Sequence, residues 1–343
     1  MMYLAGQAVT CAFNPQQDFR RPVPLDFRFL QQNVQTPYFR AFQSPSLSRA
    51  ELADLAERHL RDAADAAGWP SESWKECSVF IGSASYNASE YENGFHTAHT
   101  QHAGYTLLHL ADDLEARSGN REIFSLATAC TSSAHAVIQA ANFLRKGTAT
   151  RALVLGVESL NRMTLLHFHS LGLFGGSYRP FGGNGLILGE GMAALAFSVE
   201  PPASSCLKLT GHAANTGSDL IQSNGQAQEN VMRRALNAAC AVPEDILAVK
   251  THGVGTADSD TAEMSALTNL FPELPPLLAF KPQIGHTLGA ACALETALLA
   301  QSLQQGHDLD YSGNPISFSD GLYLANHFGF GGSNTSMVWQ WTA

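Results

Sequence analysis

Apolar residues recur at helical spacing through Leu52, Leu55 and Leu60. They lie behind Ser48 and Glu51, which are spaced as a capping box, and Gly68-Trp69-Pro70 closes the segment. This pattern predicts a helix. Ser78–Gly82 is a short apolar run and reads as a buried strand. The first forty residues are rich in Gln, Pro and Arg, with one strand candidate at Met2–Val9. Tyr86 to Gly94 is polar and aromatic and is expected to be a loop, and Thr97–Ala116 reads as a second helix. Two later stretches share a layout. Glu122–Leu126 leads into Ala129-Cys130-Thr131 and then an apolar helix closing at Arg145-Lys146-Gly147. Pro276–Phe280 leads into Gly285-His286-Thr287 and then an apolar helix closing at Gln305-Gly306. Each is a strand, a tight turn with a reactive residue and a helix, which predicts a duplicated unit. Pro201-Pro202 is the natural seam, giving halves 1–200 and 201–343, and Cys206–Thr210 opens the second half with a strand, as Met2–Val9 opens the first.

With 343 residues, 45% of them hydrophobic and only 15% charged, the chain can bury a large core, as sheets covered by helices on both faces require. The net charge of −10 and the absence of a basic stripe argue against nucleic acid as a partner. No run reaches the length of a membrane span, and Met1 to Gly6 lacks the cationic and apolar regions of a signal peptide, so a cytoplasmic location is expected. The six cysteines at 11, 77, 130, 206, 240 and 292 form no C-x-x-C pair, which suits a reducing compartment and neither a disulfide framework nor a zinc ribbon.

Four segments can carry chemistry. Around Cys130, small residues precede the cysteine and helix starters follow it in Ala129-Cys130-Thr131-Ser132-Ser133. A helix dipole there would stabilise a thiolate and lower its pKa, whereas the plainer reading is a small buried hydrophobe. Thr251-His252-Gly253-Val254-Gly255-Thr256 places a histidine between glycines after an apolar strand, either facing a cavity or bonded to loop backbone. Lys281-Pro282-Gln283-Ile284-Gly285-His286 puts a second histidine at a helix start, where the dipole keeps the ring neutral; Lys281 can reach the same site. Phe328-Gly329-Phe330-Gly331-Gly332-Ser333-Asn334 can turn backbone N–H groups toward an anion, or simply join two strands.

Other motifs are set aside. Gly189-Glu190-Gly191-Met192-Ala193-Ala194 fits a dinucleotide fingerprint, but β-prone Leu195–Val199 follows it where a helix is required. Cys130, His252 and His286 could together hold zinc, yet the acidic residues nearby are generic and no metal is expected.

Taken in order, T-A-C-T-S-S, T-H-G-V-G-T, K-x-x-x-x-H-x-x-G-A-A and G-F-G-G-S-N resemble the β-ketoacyl-acyl-carrier-protein synthases of the thiolase-like superfamily. Gly156-Val157-Glu158-Ser159 matches as well. The resemblance implies an α/β fold of two similar halves in five layers, α-β-α-β-α, forming a homodimer or a heterodimer with another ketosynthase subunit. It implies decarboxylative condensation of a carrier-bound acyl thioester with a malonyl thioester, with an acyl carrier protein as partner and no cofactor beyond that carrier's phosphopantetheine. By the resemblance Cys130 takes the acyl chain and the N–H groups of Cys130 and Phe330 form the oxyanion hole. His252 and His286 stabilise the enolate, Lys281 and Glu263 form a supporting pair, and Phe330 gates the pocket.

There are departures. Pro180-Phe181-Gly182-Gly183-Asn184-Gly185 lacks the acids and arginine of the family's P-F-D-x-x-R-D-G, Cys292 replaces a glycine, Val254 interrupts T-H-G-T-G-T, and the chain is shorter than is usual. Such trimming suits a divergent synthase of a type II polyketide or aryl-polyene pathway, or a chain-length-factor subunit with little activity of its own. Met163, Leu165, Leu166, Phe168 and Leu171 stand where an acyl chain could lie, although core packing fits them too. Arg145, Lys146, Arg151, Arg162, Arg233 and Arg234 are available for docking an acidic carrier.

Overall fold

The computed structural model describes residues 1–12, 22–44, 46–70, 72–96, 105–217 and 222–343. Its first half runs β1 (Met2–Cys11), β2 (Val23–Phe29), β3 (Gln32–Phe39), α1 (Arg49–Ala66), β4 (Ser78–Gly82), α2 (Ala88–His96), α3 (His109–Ser118), β5 (Ile123–Leu126), α4 (Ser132–Arg145), β6 (Arg151–Glu158), α5 (Arg162–Ser170), β7 (Leu188–Gly189) and β8 (Gly191–Ser198). The second runs β9 (Cys206–Thr216), α6 (Gly225–Ala239), β10 (Ile246–Lys250), α7 (Ala257–Leu270), β11 (Leu277–Leu278), α8 (Lys281–Ile284), α9 (Ala291–Gln305), β12 (His307–Leu309), β13 (Pro315–Ser317), β14 (Gly321–Phe328) and β15 (Ser333–Thr342).

Strands pair in the order β11-β10-β14-β15-β9-β1-β8-β6-β4-β5. The first-half strands β5-β4-β6-β8-β1 and the second-half strands β11-β10-β14-β15-β9 repeat one arrangement. Numbered along the chain within each half, they lie third, second, fourth, fifth, first. All four pairings within each half match in sense too: β4 is parallel to β5 and β6, as β10 is to β11 and β14, and the other two in each half are antiparallel. The halves meet where Met2–Leu4 pairs antiparallel with Leu207–Leu209, and Pro201-Pro202 lies in the link between β8 and β9.

Helices cover these strands in three layers because β8 and its neighbours are apolar on both faces. Met192, Ala194 and Ala196 of β8 pack with α1 and α3 on the outside of the first half. Ala193, Leu195 and Phe197 face the middle layer, where α4 and α9 lie side by side. That layer also receives Tyr323, Met337 and Trp339 of the second half, with Phe197 stacked on Trp339 at 6.3 Å. On the far side α6 and α7 cover Val249, Leu324 and Val338. This is the five-layer α-β-α-β-α arrangement expected. The close fit of α4 to β4 requires Gly82, because a Cβ there would stand 2.4 Å from the Ser133 backbone.

Ser48 caps α1 reciprocally with Glu51 as predicted. Three readings change. Residues 88–96 form α2 instead of a loop. Of the second predicted helix, residues 97–104 lie outside the described residues, residues 105–108 are not helical, and the rest lies in α3, which runs on to Ser118 and stops at Gly119 in the left-handed conformation. The opening forty residues contain the hairpin β2–β3 besides β1, and β3 continues in parallel onto β7. The hairpin was hidden because Pro24 and Pro37, which are disfavoured within strands, interrupt an alternation of apolar and polar side chains that would otherwise mark its strands.

Candidate active site

Cys130, His286, His252 and Phe330 converge because of the repeated topology. Cys130 lies between the third strand and central helix of the first half, and His286 in the same place of the second. His252 follows the second strand, β10, and Phe330 the fourth, β14. These are the carboxyl ends of parallel strands, where open α/β sheets place their ligands.

The turn before α4 is tightly held. Ala129 takes φ +52°, a left-handed conformation that costs energy for a residue with a side chain and marks functional turns. Ser132 Oγ donates to Ala129 O at 2.7 Å and accepts from Thr128 N at 2.9 Å, and Thr131 Oγ1 donates to Thr128 O at 2.7 Å. Thr131 Oγ1 also meets Ser333 Oγ at 2.7 Å, tying this turn to the glycine-rich loop. In that loop Gly331 (φ +79°) and Gly332 (φ +70°) reverse the chain between β14 and β15, which brings the Phe330 N–H onto the Cys130 sulfur together with the N–H of Cys130 itself. Gly329 passes so close that a Cβ would lie 3.3 Å from Cys130 N.

His286 Nε2 stands 3.1 Å from Cys130 Sγ. The ring of His252 is edge-on to that of His286, with centroids 5.4 Å apart. Neither Nδ1 has a hydrogen-bond partner among the described residues. A buried N–H without an acceptor costs more than a bare ring nitrogen, so both rings are assigned their proton on Nε2. Burial, and then the Lys281 charge, hold both imidazoles far below the ordinary pKa, so they are neutral donors. The helix dipole expected for His286 is not needed to explain this.

Cys130 departs from expectation. Its sulfur is buried, and loss of water raises its pKa to about 12, against the lowering effects of Lys281 and the two N–H groups. The dipole does not lower it, because α4 begins only at Ser132 and desolvation outweighs what the helix end supplies. The resting side chain is therefore a thiol.

Lys281 and Glu263 both serve His252, but they are not paired with each other. Lys281 Nζ donates to His252 O at 2.7 Å and bonds Glu295 Oε1 at 2.6 Å. Glu263 accepts from His252 N at 2.8 Å and from Gly253 N at 2.7 Å. The two side chains thus grip opposite ends of one backbone segment. The trimmed loop at Pro180–Gly185 and the residues just before it support the same turn: Tyr178 OH donates to Gly253 O, and Gly185 N donates to Gly255 O at 2.9 Å. Asp260 accepts from Gly255 N at 3.0 Å, and burial raises it to about 6.

Sequence reasoning assigned no role to two acids: Glu295, which it passed over, and Glu158, which stood only within the matching segment 156–159. Glu295 is the lone charge in the apolar run Ala291–Ala300, and a buried charge there demands a partner. Glu158, at the end of β6, accepts from Ala84 N (2.9 Å), Gly289 N (3.1 Å) and Ser85 Oγ, so it joins the turn after β4 to the start of α9. Burial raises it to about 7. The dinucleotide-like segment runs on into β8 with no helix after it, as expected, and Glu190, between β7 and β8, accepts from Arg40 Nε and the N–H groups of Ala41, Phe42 and Leu160.

A cavity of about 570 Å³ opens onto Cys130, His252 and His286 and is lined by Phe168, Leu171, Phe174 and Phe330, with Gln222, Asn224 and Asp258 among its other lining residues. Phe168 lies 5.6 Å from Phe330, ring to ring. Of the other candidate lining residues, Leu165 borders a second cavity near β2 and Met163 is exposed. Several arginines proposed for docking are engaged elsewhere: Arg151 lies over the Trp69 ring at 4.9 Å and Arg233 pairs with Glu229 at 2.8 Å.

Residues 29–198 match the family model described as β-ketoacyl synthase, N-terminal domain, and residues 207–307 match β-ketoacyl synthase, C-terminal domain. The chain is 29% identical over 255 residues to a mitochondrial protein of Schizosaccharomyces pombe named as a 3-oxoacyl-[acyl-carrier-protein] synthase, covering 62% of this chain and 60% of that one. It is 26% identical over 251 residues to 3-oxoacyl-[acyl-carrier-protein] synthase 1 of Haemophilus influenzae, covering 63% and 61%. The matched region thus spans about three fifths of these relatives. In three dimensions it superimposes with a TM-score of 0.82 and 21% identity on a chain from the structure of a ketosynthase in complex with its chain length factor from Xenorhabdus doucetiae, covering 99% and 98% of the two chains.

Proposed function

This chain belongs to the β-ketoacyl synthase family, and from that premise we propose that it is an active condensing enzyme that joins a carrier-bound acyl group to a malonyl thioester. The observation that carries this reading is the buried contact of Cys130 Sγ with His286 Nε2 at 3.1 Å, with the Phe330 N–H on the same sulfur.

In the first half-reaction Cys130 Sγ attacks the acyl thioester. The new carbon–sulfur bond forms as the carrier's breaks, and the thiol proton ends on the departing pantetheine sulfur. The N–H groups of Cys130 and Phe330 hold the oxyanion of the tetrahedral intermediate, and the His286 Nε2–H stabilises negative charge growing on sulfur. Once Sγ is acylated, His286 is free to join His252 on the carbonyl oxygen of a malonyl thioester. The bond to the malonyl carboxylate breaks and CO2 leaves, with its electron pair passing into an enolate whose oxygen receives both Nε2–H groups. The enolate carbon then attacks the acyl-Cys130 carbonyl, forming the carbon–carbon bond as the carbon–sulfur bond breaks, and Sγ leaves as a thiolate that takes a proton from water to restore the thiol. Neutral imidazoles suit this step because they donate without giving up a proton.

The substrates are carried on the phosphopantetheine of an acyl carrier protein, and the protein works as a homodimer or beside a second ketosynthase subunit, with no resident cofactor and in the cytoplasm. Among the described residues no helix is long and apolar enough to cross a membrane. The cavity's aromatic lining favours an acyl chain of fatty acid or polyketide type.

Intact-protein mass spectrometry after incubation with acyl-pantetheine thioesters tests the reading. An acyl mass on the wild type that is lost in Cys130→Ala supports it. No adduct over several chain lengths, alone or beside a co-purified synthase subunit, would sink it in favour of a chain-length-factor role.

A further inference from the structure

We propose that Lys250 is a second positioning lysine, which locks the backbone of His252 by closing a buried ring of hydrogen bonds around it. The proposal rests on the condensing reading above and adds to it a residue to which that reading gives no role.

The ring can be followed atom by atom. Lys250 Nζ bonds Glu295 Oε2, and the other oxygen of that carboxylate takes Lys281 Nζ at 2.6 Å. Lys281 passes to His252 O at 2.7 Å. His252 N donates to Glu263 Oε1 at 2.8 Å, and the same oxygen accepts from Asn326 Nδ2 at 3.4 Å. Asn326 O then accepts from Lys250 Nζ at 2.6 Å, closing the circuit. Ser336 Oγ donates to Asn326 Oδ1 at 2.8 Å, which fixes the amide's orientation. Lys250, Lys281 and Glu295 are each 1% exposed, and Glu263 and Asn326 are fully buried.

Without Lys250 the circuit opens at two points. Glu295 keeps a single cation and can rotate, and the β14 carbonyl that shares Lys250 loses its donor. Both changes reach His252 through the groups on either side of it, Lys281 on its C=O and Glu263 on its N–H. Cys130 is held separately, by the turn before α4 and the loop after β14. Lys250 is therefore expected to act on the histidine that serves the malonyl carbonyl and not on acyl loading. Folding should survive its loss, because Glu295 keeps Lys281 and no charge is left unpaired.

The test is Lys250→Met in the full chain, with two half-reactions read separately. Acylation of Cys130 by octanoyl-pantetheine is followed by intact mass, and CO2 release from malonyl-pantetheine is followed by radiolabel. Loading is expected to stay within about threefold of wild type while decarboxylation falls by about tenfold to a hundredfold, the range a small misplacement of a reacting group produces. Decarboxylation by Lys250→Met within threefold of wild type overturns the proposal, as does an equal fall in both half-reactions. A wild type that neither loads nor releases CO2 overturns the condensing reading itself, a different result from a variant that matches an active wild type.

Discussion

The burial of Cys130 makes a prediction that separates this site from cysteine sites working through a preformed thiolate. The ordinary thiol value is 9.0 and the site holds Cys130 at about 12. Three units correspond to about 4 kcal/mol against ionisation. At pH 8 the thiolate fraction is then about one in ten thousand instead of about one in ten, a roughly thousandfold deficit in the species that reacts. The perturbation is pH, and the assay is iodoacetamide alkylation between pH 6.5 and 10, quantified on the Cys130 peptide by mass spectrometry. The exposed Cys240 in the same sample reports how fast an accessible thiol reacts. Cys130 alkylation is expected to be far slower than that of Cys240 at pH 8, and to rise about tenfold per pH unit through pH 10 without levelling. In Lys281→Met it should be slower still, because the Lys281 charge is the largest influence favouring the thiolate. A rate that levels off at or below pH 9 would refute the reasoning, since it would mean that the N–H groups and Lys281 outweigh desolvation.

Glu158 gives a stability prediction. It is held at about 7 in the folded chain against an ordinary 4.5, so folding keeps a proton that the unfolded chain loses, and this contribution to stability declines as pH rises from about 4.5 to 7. Glu158→Gln should therefore gain on wild type by up to about 3 kcal/mol between pH 5 and pH 8 in urea titrations; parallel curves would contradict it. Gly82→Ala should cost about 2 kcal/mol or more, because its Cβ would meet the Ser133 backbone at 2.4 Å and α4 cannot yield without moving the turn that carries Cys130. Calorimetry and the Cys130 loading assay should fall together, and a variant with wild-type stability would show that α4 is free to move away from β4.

The chain's own order of residues determined a good deal. Local rules placed α1, β4 and α4, because capping, apolar runs and turn chemistry act over a few residues. The reactive turns at Cys130, His252 and His286 were legible because small and glycine residues mark backbone that must come close to something, and the motif order gave the family. Two elements escaped for physical reasons. The hairpin β2–β3 is completed by its pairing to β7, 150 positions away, and α2 contains Asn93-Gly94, which are poor helix formers. Only the tertiary structure could decide the electrostatics. Whether Cys130 is a thiol or a thiolate depends on water being excluded by segments from both halves. Whether Lys281 pairs with Glu263 or with Glu295 depends on where α9 passes beneath β10. Sequence names the groups, but the sign and size of their pKa shifts come from the surroundings that distant segments build around them, because the energy of a charge depends on the dielectric and partners about it in space.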